Sequence, residues 1–192
     1  FDLQELPIHF LTGAAHKFHG PKGIGFLYIN ADISIKPFIS GGGQERNMRA
    51  GTENVYGIAG LSKAMDVSYR DLQEHRTHIE MLKQHMIKGL KNAIPGVEFN
   101  GESGNLEKSL YTVLNVLFPQ TEIGEMLFYN LDILGIASSG GSACSSGSNL
   151  GSHVLKAIGC NMSRPSLRFS FSKYNTIEEI DYTINQLKSL LS

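Results

Sequence analysis

The chain has 192 residues, 41% of them hydrophobic and 18% charged, and 17 Lys+Arg against 18 Asp+Glu leave a formal net charge of -1. That balance describes a folded chain with a real core and excludes a disordered or low-complexity protein. The basic residues are scattered, so no nucleic-acid partner is expected, and no apolar run approaches the ~20 residues of a membrane span.

The N-terminus lacks the basic-then-apolar order of a signal peptide, which points to a cytoplasmic protein with no membrane partner. Cys144 and Cys160 have neither metal-site nor disulfide-framework spacing, so free thiols in a reducing compartment, and no metal, are expected. The chain opens Phe1-Asp2-Leu3 without an initiator Met and enters an apolar segment at once. We therefore expect a piece of a longer protein.

In chain order, the apolar stretch from Leu6 to Leu11 reads as a strand. It leads into a turn of small residues that delivers His16 and Lys17. Gly20-Pro21-Lys22-Gly23 punctuates the chain before Ile24 to Ile29, which reads as a buried strand. Gly41 to Thr52 is a glycine-framed polar loop of the kind that often carries function. From Ile58 on, Leu61, Met65, Tyr69, Leu72, Ile79, Leu82, Met86 and Leu90 fit one face of a long, kinked helix that ends at Pro95-Gly96 and connects two lobes.

Beyond it, Val97 with Phe99, Val113 to Phe118, Gly135 to Ala137 and Leu167 to Phe171 read as strands. Glu122 to Leu131, His153 to Ile158 and Ile177 to Leu191 read as helices, the last with a Thr176/Glu179 capping box. The alternation predicts an α/β layer of roughly 100 residues.

Four places could carry chemistry. Lys17 sits among uncharged neighbours; it is either a lysine with its ammonium in water or one desolvated enough to form a Schiff base. Cys144 stands among small polar residues, as a reactive thiol does, whereas Cys160 looks structural; an incidental thiol in a flexible loop is the other reading of Cys144. Alternation places Leu167, Phe169 and Phe171 on one face of a strand and Arg168 on the other, suited to binding a carboxylate or simply exposed. His16 and His19 have no third ligand nearby, so a phosphate-contacting or structural role fits better than a metal.

These segments together resemble a known family. Ala15-His16-Lys17-Phe18-His19-Gly20-Pro21-Lys22-Gly23 is similar to the cofactor-lysine segment of cysteine desulfurases of the NifS/IscS type, which belong to the class-V aminotransferases. Gly41 to Arg46 with Arg49 to Asn54 resembles a second signature, Gly141 to Gly147 the cysteine loop, and Leu167 to Ser170 the substrate-arginine strand.

The resemblance implies an α/β fold: the C-terminal part of a fold-type I transferase dependent on pyridoxal 5'-phosphate. Residues 1–70 would close the large cofactor domain with its connector helix, and 71–192 would form the small C-terminal domain. Lys17 would hold the cofactor, His16 would contact its phosphate, and Thr52 would do so from the other subunit of a homodimer. Arg168 would bind the carboxylate of L-cysteine. Cys144 would take the sulfur as a persulfide, releasing L-alanine and passing sulfur to an acceptor or iron–sulfur scaffold protein.

Ala14 stands where the family commonly has a phosphate-binding serine, and Gly140 likewise replaces a serine. Relatives are about twice as long, so this stretch alone is expected to bind cofactor poorly and to be inactive. The alternatives are a non-catalytic dimerisation or acceptor-docking fragment, and a selenocysteine lyase.

Overall fold

A computed structural model describes residues 2–124, 126–140 and 152–192. It divides into two compact units, Phe1–Leu72 and Gln73–Ser192.

In the first unit, β1 (Phe10–Ala14) and β2 (Gly25–Ile29) form a two-stranded antiparallel sheet, with Phe10 opposite Ile29 and Ala14 opposite Gly25. β1 therefore begins at the end of the apolar stretch and runs on through Thr12-Gly13-Ala14. Gly13 matters here because a Cβ would sit 2.3 Å from the Phe26 ring. The expectation of a buried second strand is corrected: Leu27 is 53% exposed, because the described residues lay no second layer on that face. α1 (Val55–Arg70) follows, its N-terminus capped by Asn54, whose Oδ1 accepts from the Gly57 amide at 3.0 Å.

The predicted long helix is two helices. α1 stops at Asp71, and α2 (Leu72–Ala93) starts immediately after it.

The second unit is a two-layer α/β structure. β3 (Glu98–Phe99), β4 (Val113–Leu117), β5 (Ser139–Gly140) and β6 (Ser166–Ser170) form an antiparallel sheet in the order β3-β4-β6-β5. Alternation turns Leu114, Val116, Leu167 and Phe169 to one face. There they join Leu82, Met86 and Leu90 of α2, Leu127 and Leu131 of α3 (Leu127–Ile133), and Ile180, Ile184 and Leu187 of α5 (Ile177–Leu190) in one core cluster. Gly89 permits α5 to approach α2, since a Cβ there would lie 2.4 Å from Ile184 Cδ1. α4 (His153–Ala157) is a short helix capped by Ser152, and the Thr176/Glu179 capping box is present at the start of α5.

Two expectations are corrected. Residues 122–124 form turns rather than helix, and the regular helix begins at Leu127. Gly135 to Ala137 is not a strand: Gly135 adopts φ 75, and the Ile136 amide donates back to Leu131 O at 2.8 Å. This is the left-handed glycine stop of α3, which delays the strand to Ser139.

One lysine lies inside. Lys83 on α2 is fully buried and donates to Ser109 Oγ at 2.8 Å and Leu110 O at 2.9 Å, pinning the segment that enters β4. Burial holds its ammonium below the ordinary lysine value, while the Glu80 carboxylate pulls the other way.

Candidate functional site

The lysine turn is built by backbone geometry. β1 runs straight into a tight helical turn, Ala15–Phe18. The Ala15 amide donates to Ile24 O at 3.0 Å, and the Gly20 amide closes the turn on Ala15 O at 2.8 Å. His19 caps it in the left-handed region with φ 66. Gly20 is required: a Cβ would come within 2.8 Å of Ala15 Cβ and 3.0 Å of its carbonyl oxygen. Pro21 then packs on α1 over Gly60, where a Cβ would lie 2.4 Å from Pro21 Cγ.

The result is a turn closed at both ends by backbone hydrogen bonds. It anchors Ala15 inside and leaves His16 and Lys17 exposed, neither with a hydrogen bond or ion pair among the described residues. The desolvation considered for Lys17 is not supplied within its own unit. Ala14 is the last residue of β1 and brings no hydroxyl to the turn.

The glycine-framed loop is strained. Glu45, Arg46 and Asn47 have φ of 48, 56 and 65, three consecutive left-handed residues without a glycine among them. Glu45 and Arg46 each cost about 1–2 kcal/mol there, Asn47 less, and strain of this kind gathers at functional sites. The loop is closed by the Gly51 amide donating to Gln44 Oε1 at 3.2 Å, with Ala50 buried beneath. Thr52 follows, exposed.

In the second unit, Arg168 lies on the sheet face opposite the core. Leu167 and Phe169 are buried on the core side, as alternation requires. Register puts four polar residues in one row across the strands: Asn100, Asn115, Arg168 and Ser139. Asn115 is opposite Arg168, Arg168 is opposite Ser139, and the Asn100 amide donates to Asn115 O at 3.0 Å. Arg168 Nη2 donates to Ser139 Oγ at a long 3.4 Å, while Nε is buried with no partner. Among the described residues no carboxylate pairs with this guanidinium. A half-buried cation short of acceptors is built to receive an anion.

Cys144 lies outside the described residues. In the sequence it follows β5 (Ser139–Gly140), the strand that carries the Ser139 partner of Arg168. Cys160 is a free, half-buried thiol. Lys17 with His16, and Arg168 with Ser139, are thus each brought together locally. Reading the sequence missed Asn100, Asn115 and Lys83. An Asn in the middle of Val113-Leu114-Asn115-Val116-Leu117, where strands disfavour it, was the available signal for Asn115.

The class-V aminotransferase family profile matches residues 1–183. The chain is 41% identical over 192 residues to the cysteine desulfurase IscS of Clostridium botulinum, covering 99% of this chain and 48% of that protein. It is 42% identical over 182 residues to the putative cysteine desulfurase IscS 1 of Bacillus subtilis, covering 93% and 47%. A solved NifS-like protein superposes with a TM-score of 0.85 at 38% identity, over 100% of this chain and 48% of that one. Another, from Rickettsia africae, gives 0.85 at 29% identity, over 98% and 49%.

The chain spans about half the length of the relatives it matches. Its mixed α/β fold is that of the matching half of a NifS-like enzyme, and members of that family use pyridoxal phosphate. The chain belongs to the class-V aminotransferase family.

Proposed function

We propose that this chain is the C-terminal portion of a cytoplasmic, homodimeric cysteine desulfurase that moves sulfur from L-cysteine to a protein acceptor, with residues 1–70 ending the cofactor domain and 71–192 forming the small domain. The observation that carries the reading is the 41% identity to a protein named cysteine desulfurase across 99% of the chain.

The donor set also suits a phosphate-bearing aldehyde. A primary amine at Lys17 and an imidazole at His16 are held on one glycine-closed turn, both exposed and unpaired among the described residues. Pyridoxal phosphate would be held by Lys17 through its aldehyde carbon and by His16 and the partner subunit's Thr52 through its phosphate; it supplies the electron sink for chemistry at Cα.

The remaining work falls to side chains of this chain. Arg168 orients the substrate by its carboxylate, which is why its guanidinium is left without an ion pair. Lys17 Nζ takes the Cα proton and returns it. The Cys144 thiolate attacks the substrate sulfur: an S–S bond forms, the C–S bond breaks, and the electron pair stays with carbon. Protonation of that carbon gives L-alanine, and Cys144 is left as a persulfide for transfer.

Mass spectrometry of the whole protein after incubation with L-cysteine tests the reading. One sulfur atom added at Cys144 is expected. An unmodified Cys144 with L-alanine absent would defeat it.

A further inference from the structure

Arg168 is not alone on its face of the sheet. The hydrogen bonds that bracket the β4–β6 ladder, Phe118 N to Pro165 O at 2.9 Å and Phe171 N to Thr112 O at 2.8 Å, fix which cross-strand pairs exchange backbone bonds. Counting inward from either end by twos makes Asn115 and Arg168 a non-hydrogen-bonded pair. In antiparallel sheets such pairs have the closer side chains, with Cα atoms about 4.5 Å apart. Asn115 on β4 therefore stands directly opposite Arg168 on the same face of the sheet, as Ser139 does on β5.

The orientation of its amide is also set. Asn100 is 6% exposed, and its Nδ2 donates both protons, to Asn115 Oδ1 at 2.8 Å and to Ser166 Oγ at 2.9 Å. The carbonyl end of Asn115 is thus committed toward β3. Its Nδ2 has no acceptor among the described residues. This amide, and a guanidinium whose Nε has no partner and whose Nη2 has only the long bond to Ser139 Oγ, stand on opposed residues of one face.

We propose that Asn115 is a second binding residue for the substrate carboxylate. Its Nδ2 donates to one carboxylate oxygen while Arg168 holds the other, and Asn100 is the positioning residue that keeps the amide turned that way. This rests on the reading of Arg168 as the carboxylate clamp. The residue type follows from the chemistry. An aspartate of the same shape would pair with Arg168 and exclude the substrate, whereas a neutral amide adds a donor and leaves the cation available. It also accounts for a strand-disfavoured residue in the middle of an otherwise apolar strand.

The test uses the whole protein carrying N115A, N115D or R168A. Binding of 3-mercaptopropionate, which has the carboxylate and thiol but no amine, is measured by calorimetry, alongside KM and kcat for L-cysteine. N115D keeps the acceptor that Asn100 needs, so it preserves the network and the thermal midpoint. A hydrogen bond to a charged group is worth about tenfold to a hundredfold in binding.

We expect N115A to weaken 3-mercaptopropionate and raise KM by about tenfold, and N115D to weaken binding by about a hundredfold, with kcat within about threefold of wild type. Cysteamine, which lacks the carboxylate, is expected to bind all the proteins equally. Weakening by R168A with wild-type binding in N115A and N115D overturns the role of Asn115 alone, as does an equal loss for cysteamine. Wild-type binding in R168A overturns the reading of Arg168, and this proposal with it.

Discussion

The two units hold their functional groups by different physics. Every member of the apolar core cluster belongs to the second unit, from Ile79 on α2 to Leu187 on α5. The first unit buries Ala15 and Ala50 but leaves large apolar residues such as Phe38 and Tyr56 almost wholly exposed. Arg168 is therefore positioned by a sheet with a packed layer behind it, whereas Lys17 is positioned by a turn closed with backbone hydrogen bonds and glycine contacts. A group on a core-backed sheet inherits the stability of the core. A group on a closed turn depends on a few residues of special geometry, and a substitution such as Gly20→Ala acts on it directly.

The largest effect that sharpens this contrast is functional. In the whole protein, Lys17→Ala is expected to lower L-alanine release by more than about a hundredfold while leaving denaturant unfolding of the cofactor-free form within about 0.5 kcal/mol of wild type, because the side chain is exposed in this chain. A comparable loss of stability would show that Lys17 carries structure as well as chemistry.

Next come the core substitutions. Leu114→Ala, at a fully buried position of β4, is expected to cost about 3–5 kcal/mol in urea unfolding. Phe38→Ala in the first unit is expected to cost less than about 0.5 kcal/mol. Equal costs would break the contrast.

Lys83→Met adds a pH signature. The native lysine releases its proton more readily than the unfolded one, whose value is the ordinary 10.5. The unfolded chain thus binds more protons in the alkaline interval below 10.5, and raising the pH through that interval stabilises wild type relative to Lys83→Met. Urea midpoints of the two proteins at neutral and alkaline pH check the sign; a constant difference would count against it.

The smallest effect is at the capping box. Thr176→Ala removes the hydroxyl that accepts from the Glu179 amide at 3.3 Å and is expected to cost about 1 kcal/mol by thermal unfolding.

Much of this was legible along the chain because it is local. The period-2 alternation around Arg168 and the Thr176/Glu179 box depend on residues within one element. The lysine turn was legible in the same way, as a cluster of small residues before a charged pair. Errors arose where neighbours decide. Ile24 to Ile29 reads as a buried strand, yet its burial depends on what is packed over it. Gly135 reads as the start of a strand when it is the left-handed stop of a helix.

The family signatures, the α/β class and the residues with chemical capacity are properties of the chain, written in motif spacing and hydrophobic period. The row formed by Asn100, Asn115, Arg168 and Ser139 exists only once the sheet is assembled. Asn115, Arg168 and Ser139 lie on three strands and Asn100 just beyond β3, and the strand order in the sheet, β3-β4-β6-β5, differs from the order in the chain. Strand register is set by which face the core buries, so the partners of the guanidinium follow from packing between distant segments.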